Sequence, residues 1–64
     1  MQVSLDEQIK CAERELAMRK RVYPRWVNED RMDEAKATSE IRAMEAIIVT
    51  LKELKLKIEG DLFA

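Results

Sequence analysis

The sequence predicts an all-α protein: an antiparallel two-helix hairpin that dimerises into a four-helix bundle. Three observations lead there. Apolar residues return at alternating steps of three and four along two long segments, the signature of amphipathic helices. The single proline, Pro24, stands between those segments as a break. The chain has 64 residues, a size at which one hydrophobic core needs disulfides, metal or association to supplement it. One cysteine and no histidine leave neither a disulfide within the chain nor a zinc site, so association is the supplement that remains.

The sequence reads as one domain over residues 1–64, with helix 1 at about 4–22, a turn at 23–32, helix 2 at about 33–59 and a short tail at 60–64. Helix 1 is expected to start at Ser4, whose hydroxyl suits a helix cap, with Glu7 three residues later completing a capping box. From there Leu5, Ile9, Ala12 and Leu16 form an apolar stripe to which Tyr23 returns, with Arg19 at the intervening seam position. Asp6 and Glu7 lie at the positive end of the helix dipole, and Arg19, Lys20 and Arg21 at its negative end. Pro24 lacks an amide proton and disfavours helical geometry at Tyr23, so the helix is expected to stop or kink near Val22. Pro24 to Val27 then read as a short helical turn, and Asn28-Glu29-Asp30 as a bend in which Asn or Asp takes a left-handed conformation.

Helix 2 is expected to be capped by Asp33, with Met32 as the apolar residue just outside, and to run about 27 residues, roughly 40 Å, to a C-terminal cap at Gly60. Ala37, Ile41, Met44, Ile48, Leu51 and Ile58 form its seam, interrupted by Lys55. Ile47 and Leu54 widen that seam on one flank, and Val49 and Leu56 add apolar surface on the other. A lone hairpin covers one side of so wide a stripe. The candidate oligomer core is therefore Leu5, Ile9, Leu16, Ile41, Met44, Ile47, Ile48, Leu51, Leu54 and Ile58. Leu62 and Phe63 lie in the tail, where they either fold back onto the bundle, dock elsewhere or fray.

Charge narrows the function classes without choosing one. Twelve basic residues nearly balance thirteen acidic ones, so bulk charge favours neither nucleic acid nor membrane. No basic start followed by an apolar run marks a secretory signal, and no uncharged apolar stretch approaches the ~18 residues of a membrane span. A cytoplasmic location is expected, and the lone cysteine suits a reducing compartment. With no histidine base, glycine-rich phosphate loop or serine motif, no catalytic residues, cofactor or metal ligands are assigned, and the chain is not expected to be an enzyme.

The candidate partner-binding tip is Arg19, Lys20, Arg21, Tyr23, Arg25, Trp26 and Arg31. Basic groups beside rings suit single-stranded nucleic acid, where cations neutralise phosphates and rings stack on bases. The same residue types also dominate protein interfaces. A structural reading competes with both: the cations offset the helix dipole while Tyr23 and Trp26 close the end of the core. Glu29, Asp30, Asp33 and Glu34 lie close enough in sequence to oppose a bound polyanion. Cys11 is either a redox-sensitive thiol or, as its place beside the stripe favours, a small hydrophobe. Lys55 either serves as a buried base or lays its stem over apolar surface and sets bundle register. Glu15 with Arg19, Lys36 with Glu40 and Glu53 with Lys57 are spaced as helix-surface pairs.

Tyr23-Pro24-Arg25-Trp26-Val27, followed by Arg31-Met32, Ala35 or Ala37, Glu40-Ile41 and Met44-Glu45-Ala46-Ile47, resembles a pattern in short uncharacterised phage and prophage proteins. Where that pattern carries glycine before the Arg-Met pair, this chain has Asp30. The resemblance implies a mobile-element accessory protein and brings no catalytic or binding residues with it. In size and topology the hairpin is also similar to plasmid RNA-binding helical hairpins, with no shared motif. The expected function is that of an interaction protein, binding a host or phage protein as a helical-hairpin homo-oligomer, a dimer first of all. The alternative is nucleic-acid binding through segment 19–26.

Overall fold

A computed structural model of the chain describes residues 2–63, with side chains described up to residue 61. Two helices, α1 (Leu5–Asn28) and α2 (Glu34–Phe63), pack against each other, and no strand occurs among the described residues. Contacts from Asp6 to Lys55, Glu13 to Lys52 and Arg19 to Glu40 make the pair antiparallel.

α1 begins as its sequence requires. Ser4 has extended backbone, with φ −65° and ψ 157°, and its Oγ accepts from the Glu7 N–H at 3.1 Å. The hydroxyl half of the capping box thus satisfies one of the free donors of the first turn. The side-chain amide of Gln8 donates to the Val3 carbonyl at 3.1 Å and tethers the entering strand of chain.

The end of α1 corrects the sequence reading. The helix does not stop near Val22; it runs through Pro24 to Asn28, so the turn expected over 23–32 shrinks to residues 29–33. Pro24 removes a single donor, the one that would serve the Lys20 carbonyl, and both residues are solvent-exposed, so water is at hand for that oxygen. Termination comes six residues later from a different device. The Arg31 N–H donates to the Trp26 carbonyl at 2.8 Å and the Asp30 N–H to the Val27 carbonyl at 3.1 Å, while Asp30 takes φ 57°. This is the paired hydrogen-bond pattern that closes a helix around one left-handed residue, a position glycine usually fills. Asp30 takes it here, as the bend reading anticipated for Asn or Asp.

α2 starts at the expected cap: Asp33 Oδ2 accepts from the Lys36 N–H at 3.2 Å. Met32 before it is half-buried and Ala37 is buried, the positions of a hydrophobic staple. The expected stop at Gly60 does not occur. Gly60 has no positive φ and α2 continues to Phe63, because a glycine permits a left-handed cap without imposing one. The backbone of residues 60–63 is therefore helix rather than tail, while the expectation for the Leu62 and Phe63 side chains lies outside the described residues.

Packing between the helices is a single seam. Ile9, Ala12, Ala37, Met44 and Ile48 are buried, and Leu16 and Leu51 pack against the cluster of Ala12, Met44 and Ile48. No described side chain is fully enclosed. The molecule measures 51 × 23 × 16 Å with a radius of gyration of 15.2 Å, against about 11 Å for a compact domain of this length. It is one layer of two helices, whereas stable domains bury their apolar faces between layers.

Candidate interaction surfaces

The basic residues near the turn are engaged mostly by carboxylates, and the rings by each other and by two arginines. The Arg19 Nε donates to Glu15 Oε1 at 2.9 Å, and its Nη1 donates to the Glu40 carbonyl at 2.8 Å and lies 3.6 Å from the Glu40 carboxylate. The Glu15 hydrogen bond, reinforced by the charges of Glu15 and Glu40, holds the guanidinium pKa above its ordinary value. This half-buried Arg19 clasps the two helices together. Lys20 is 3.8 Å from Glu45, and Arg31 is 3.4 Å from Glu29. Within segment 19–26, Arg21 and Arg25 are the cations with no acidic partner within 4 Å among the described residues.

The rings are similarly engaged. Tyr23 and Trp26 stack with centroids 5.6 Å apart and planes at 26°. Arg19 lies over the Tyr23 ring at 5.9 Å, and Arg31 over the Trp26 ring at 5.5 Å. Trp26 and Arg31 are the two residues bridged by the hydrogen bond that ends α1, so their stacking supplies the side-chain contact that accompanies such a cap. Both rings are half-buried, and Tyr23 lines a shallow groove of about 330 Å³ with Val27, Ala37 and Ile41. Of the tip residues, Arg19, Tyr23, Trp26 and Arg31 form one chain of stacking contacts that closes the end of the seam and terminates a helix, Lys20 pairs with Glu45, and Arg21 and Arg25 stand apart.

Along the stem the two faces of the hairpin differ. At ~100° per residue, Ile48 points at α1 while Val49 lies one step round to one side and Ile47 one step round to the other. On the Val49 side run the cross-helix ion pairs Lys20 to Glu45 at 3.8 Å, Glu13 to Lys52 at 3.2 Å and Asp6 to Lys55 at 2.7 Å. A groove of about 410 Å³ lies there, lined by Ile9, Lys10, Lys52 and Leu56 among others. Lys55 also reaches Glu59 at 3.8 Å, so this seam lysine stays in water with its charge paired rather than buried as a base. Its hydrogen bond with Asp6, and the attraction of that carboxylate, raise the Lys55 pKa and lower that of Asp6.

On the Ile47 side the only cross-helix ion pair among the described residues is Arg19 with Glu40, toward the turn. Toward the open end of the hairpin that face presents Ile47, Leu54 and Ile58, all exposed, beside the half-buried Leu51. Sequence reasoning placed Ile47 and Leu54 on a flank and Ile58 in the seam; the structure joins the three as one line. Cys11 is exposed on α1, about 200° round from Ile9, so it is not the packed small side chain its sequence position favoured. Glu15 pairs with Arg19 as its spacing suggested, whereas Glu40 turns to Arg19 rather than to Lys36.

Among the described residues no group of three or more His, Cys, Asp or Glu is placed to hold a metal ion, and no helix is long and apolar enough to cross a membrane. Compared with protein-family models, curated proteins and solved structures, the chain matches none.

Proposed function

We propose that this chain is a non-enzymatic interaction protein, a phage or prophage accessory factor that acts as a helical-hairpin oligomer and binds a host or phage protein. The mobile-element part rests on the Tyr23-to-Ile47 resemblance. Protein binding rests on one observation: among the described residues α2 exposes Ile47, Val49, Leu54, Leu56 and Ile58, in lines on both sides of the seam it shares with α1. Water-facing apolar lines of this kind are surfaces for other proteins. Nucleic-acid binding loses support from the same geometry. Carboxylates draw in Arg19, Lys20 and Arg31, and the two rings are already stacked on each other and on arginines.

The test is affinity capture with the wild-type chain, a Trp26→Ala variant and a Val49→Asp/Leu56→Asp variant, beside titration with single-stranded RNA at low salt. A protein partner kept by Trp26→Ala and lost by the double variant supports the stem. RNA binding that weakens steeply with salt, with a slope flattened by Arg21→Ala/Arg25→Ala, overturns the reading in favour of the alternative.

A further inference from the structure

The stem has one face laced by ion pairs and one that is open and apolar, and the open face has the form of a second packing seam. Ile47, Leu51, Leu54 and Ile58 are spaced four, three and four residues apart, the repeat by which one helix packs along another. The area is also right. The chain exposes 5242 Å², against about 4,200 Å² for a compact monomer of 7.5 kDa. The excess of roughly 1,000 Å² is close to the ~800 Å² that each partner buries in a standard stable interface.

Resting on the reading of the chain as a hairpin oligomer, we propose that the open face is covered by a second copy of this chain. The copy lies antiparallel, with Ile47 against its Ile58 and Leu51 against its Leu54. The orientation follows from what each arrangement places opposite the seam. A two-fold axis across the hairpin lays the apolar line of α2 on the same line of the second α2. An axis along the hairpin lays it on α1 of the copy, whose residues on that side include Gln8 and Glu15, and buries their polar groups against Leu54 and Ile47. The first arrangement also leaves the contact of Arg19 with Glu40 toward the turn, away from the axis.

The register carries a marker. The midpoint of the seam falls between Lys52 and Glu53, and the contacts of Lys52 with Glu13 and of Lys55 with Asp6 place that level between residues 6 and 13 of α1. Cys11 lies within that interval and is exposed, and its position about 200° round from Ile9 puts it at the outer edge of α1, turned toward the side that carries Gln8 and Glu15. The proposed axis therefore brings the two Cys11 thiols of a dimer near each other, whereas the other axis sends them to opposite edges.

Solution mass and cross-linking of the whole chain decide it. The expected result is a dimer at micromolar concentration that a short bis-maleimide links through Cys11 in high yield. Leu54→Glu should raise the dimer dissociation constant at least 100-fold with helical circular dichroism retained at high concentration, while Leu56→Glu on the ion-paired face should leave it within threefold. A monomeric wild-type chain overturns the proposal. So does a dimer that dissociates with Leu56→Glu rather than Leu54→Glu, or one that Cys11 does not link. Cross-linking needs no substitution, so it stands even where Leu54→Glu unfolds the chain. Capture of a protein partner by a chain that proves monomeric leaves the interaction function standing and removes only the second copy.

Discussion

The two long faces of the hairpin use the same pair of helices differently. One is held by ions: Lys20 with Glu45, Glu13 with Lys52 and Asp6 with Lys55 cross between the helices along its length. The other has, among the described residues, one such pair, at Arg19 and Glu40, and below it a line of exposed isoleucine and leucine. Surface ion pairs add little stability but raise the cost of covering a face with a wholly apolar surface, because a partner must strip water from each charge or meet it with polar groups of its own. The contrast therefore says less about what holds one hairpin together than about what each side accepts: the open line suits an apolar seam, and Val49 and Leu56, set among ion pairs, suit a partner that brings polar groups to them. It also separates the helices. Among the described residues the exposed large apolar side chains of the stem, Ile47, Val49, Leu54, Leu56 and Ile58, lie on α2 rather than α1, so α2 is the element built to have neighbours on more than one side.

Two adjacent isoleucines give the largest test of this contrast. Ile48 is 7% exposed and Ile47 is 49% exposed in the same turn of α2. Ile48→Ala should lower unfolding stability by about 2–4 kcal/mol, the cost of emptying a packed site. Ile47→Ala should cost less than half as much at low protein concentration. Denaturant titrations at low and high concentration separate the two: the Ile47→Ala loss should grow with concentration as association comes to count, and the Ile48→Ala loss should not. Equal losses at both concentrations would mean that the open face is only surface.

The turn gives the next effect in size, since it sets how the faces of α1 and α2 line up. Asp30 occupies the left-handed position that glycine fills without steric cost. Asp30→Gly should raise stability by at most about 1 kcal/mol, the relief at φ 57° being partly offset by the greater freedom of glycine in the unfolded chain. Thermal melts of the two proteins measure it. A clear loss of stability would mean that the Asp30 side chain itself holds the turn.

These residues also mark what sequence reasoning reaches. Ser4 and Asp33 were legible because a cap is decided by a few adjacent atoms. The three-four repeat of Ile9, Ala12, Leu16, Met44 and Ile48 was legible because an α-helix has one period. Pro24 misled because the rule for proline describes the loss of one hydrogen bond. Whether a helix survives that loss depends on the structure beyond it, here the Tyr23 and Trp26 stack and the close at Asp30. Gly60 is the converse case, a residue that allows a left-handed cap without making one, and α2 runs through it to Phe63. The distribution of ion pairs was not legible. Residues such as Asp6 and Lys55 lie far apart in the chain, and their meeting depends on the rotation of each helix about its own axis.

That Asp6 to Lys55 contact, at 2.7 Å, gives the smallest effect and the one with a defined pH signature. Lys55 holds the Asp6 carboxyl below its ordinary value of 3.8, so the folded chain releases that proton more readily than the unfolded one. The contribution is complete above the ordinary carboxylate range and disappears as pH falls through the lowered value. On the alkaline side Asp6 raises Lys55 above 10.5, so the same contribution persists until pH rises past that raised value. Asp6→Asn should therefore melt slightly below the wild-type chain at neutral pH and converge with it in strong acid. Both groups are open to solvent, so added salt should shrink the neutral-pH gap. If the gap persists in acid, the loss belongs to the positive end of the α1 dipole or to packing rather than to the ion pair, and the charged lacing of that face contributes nothing of its own.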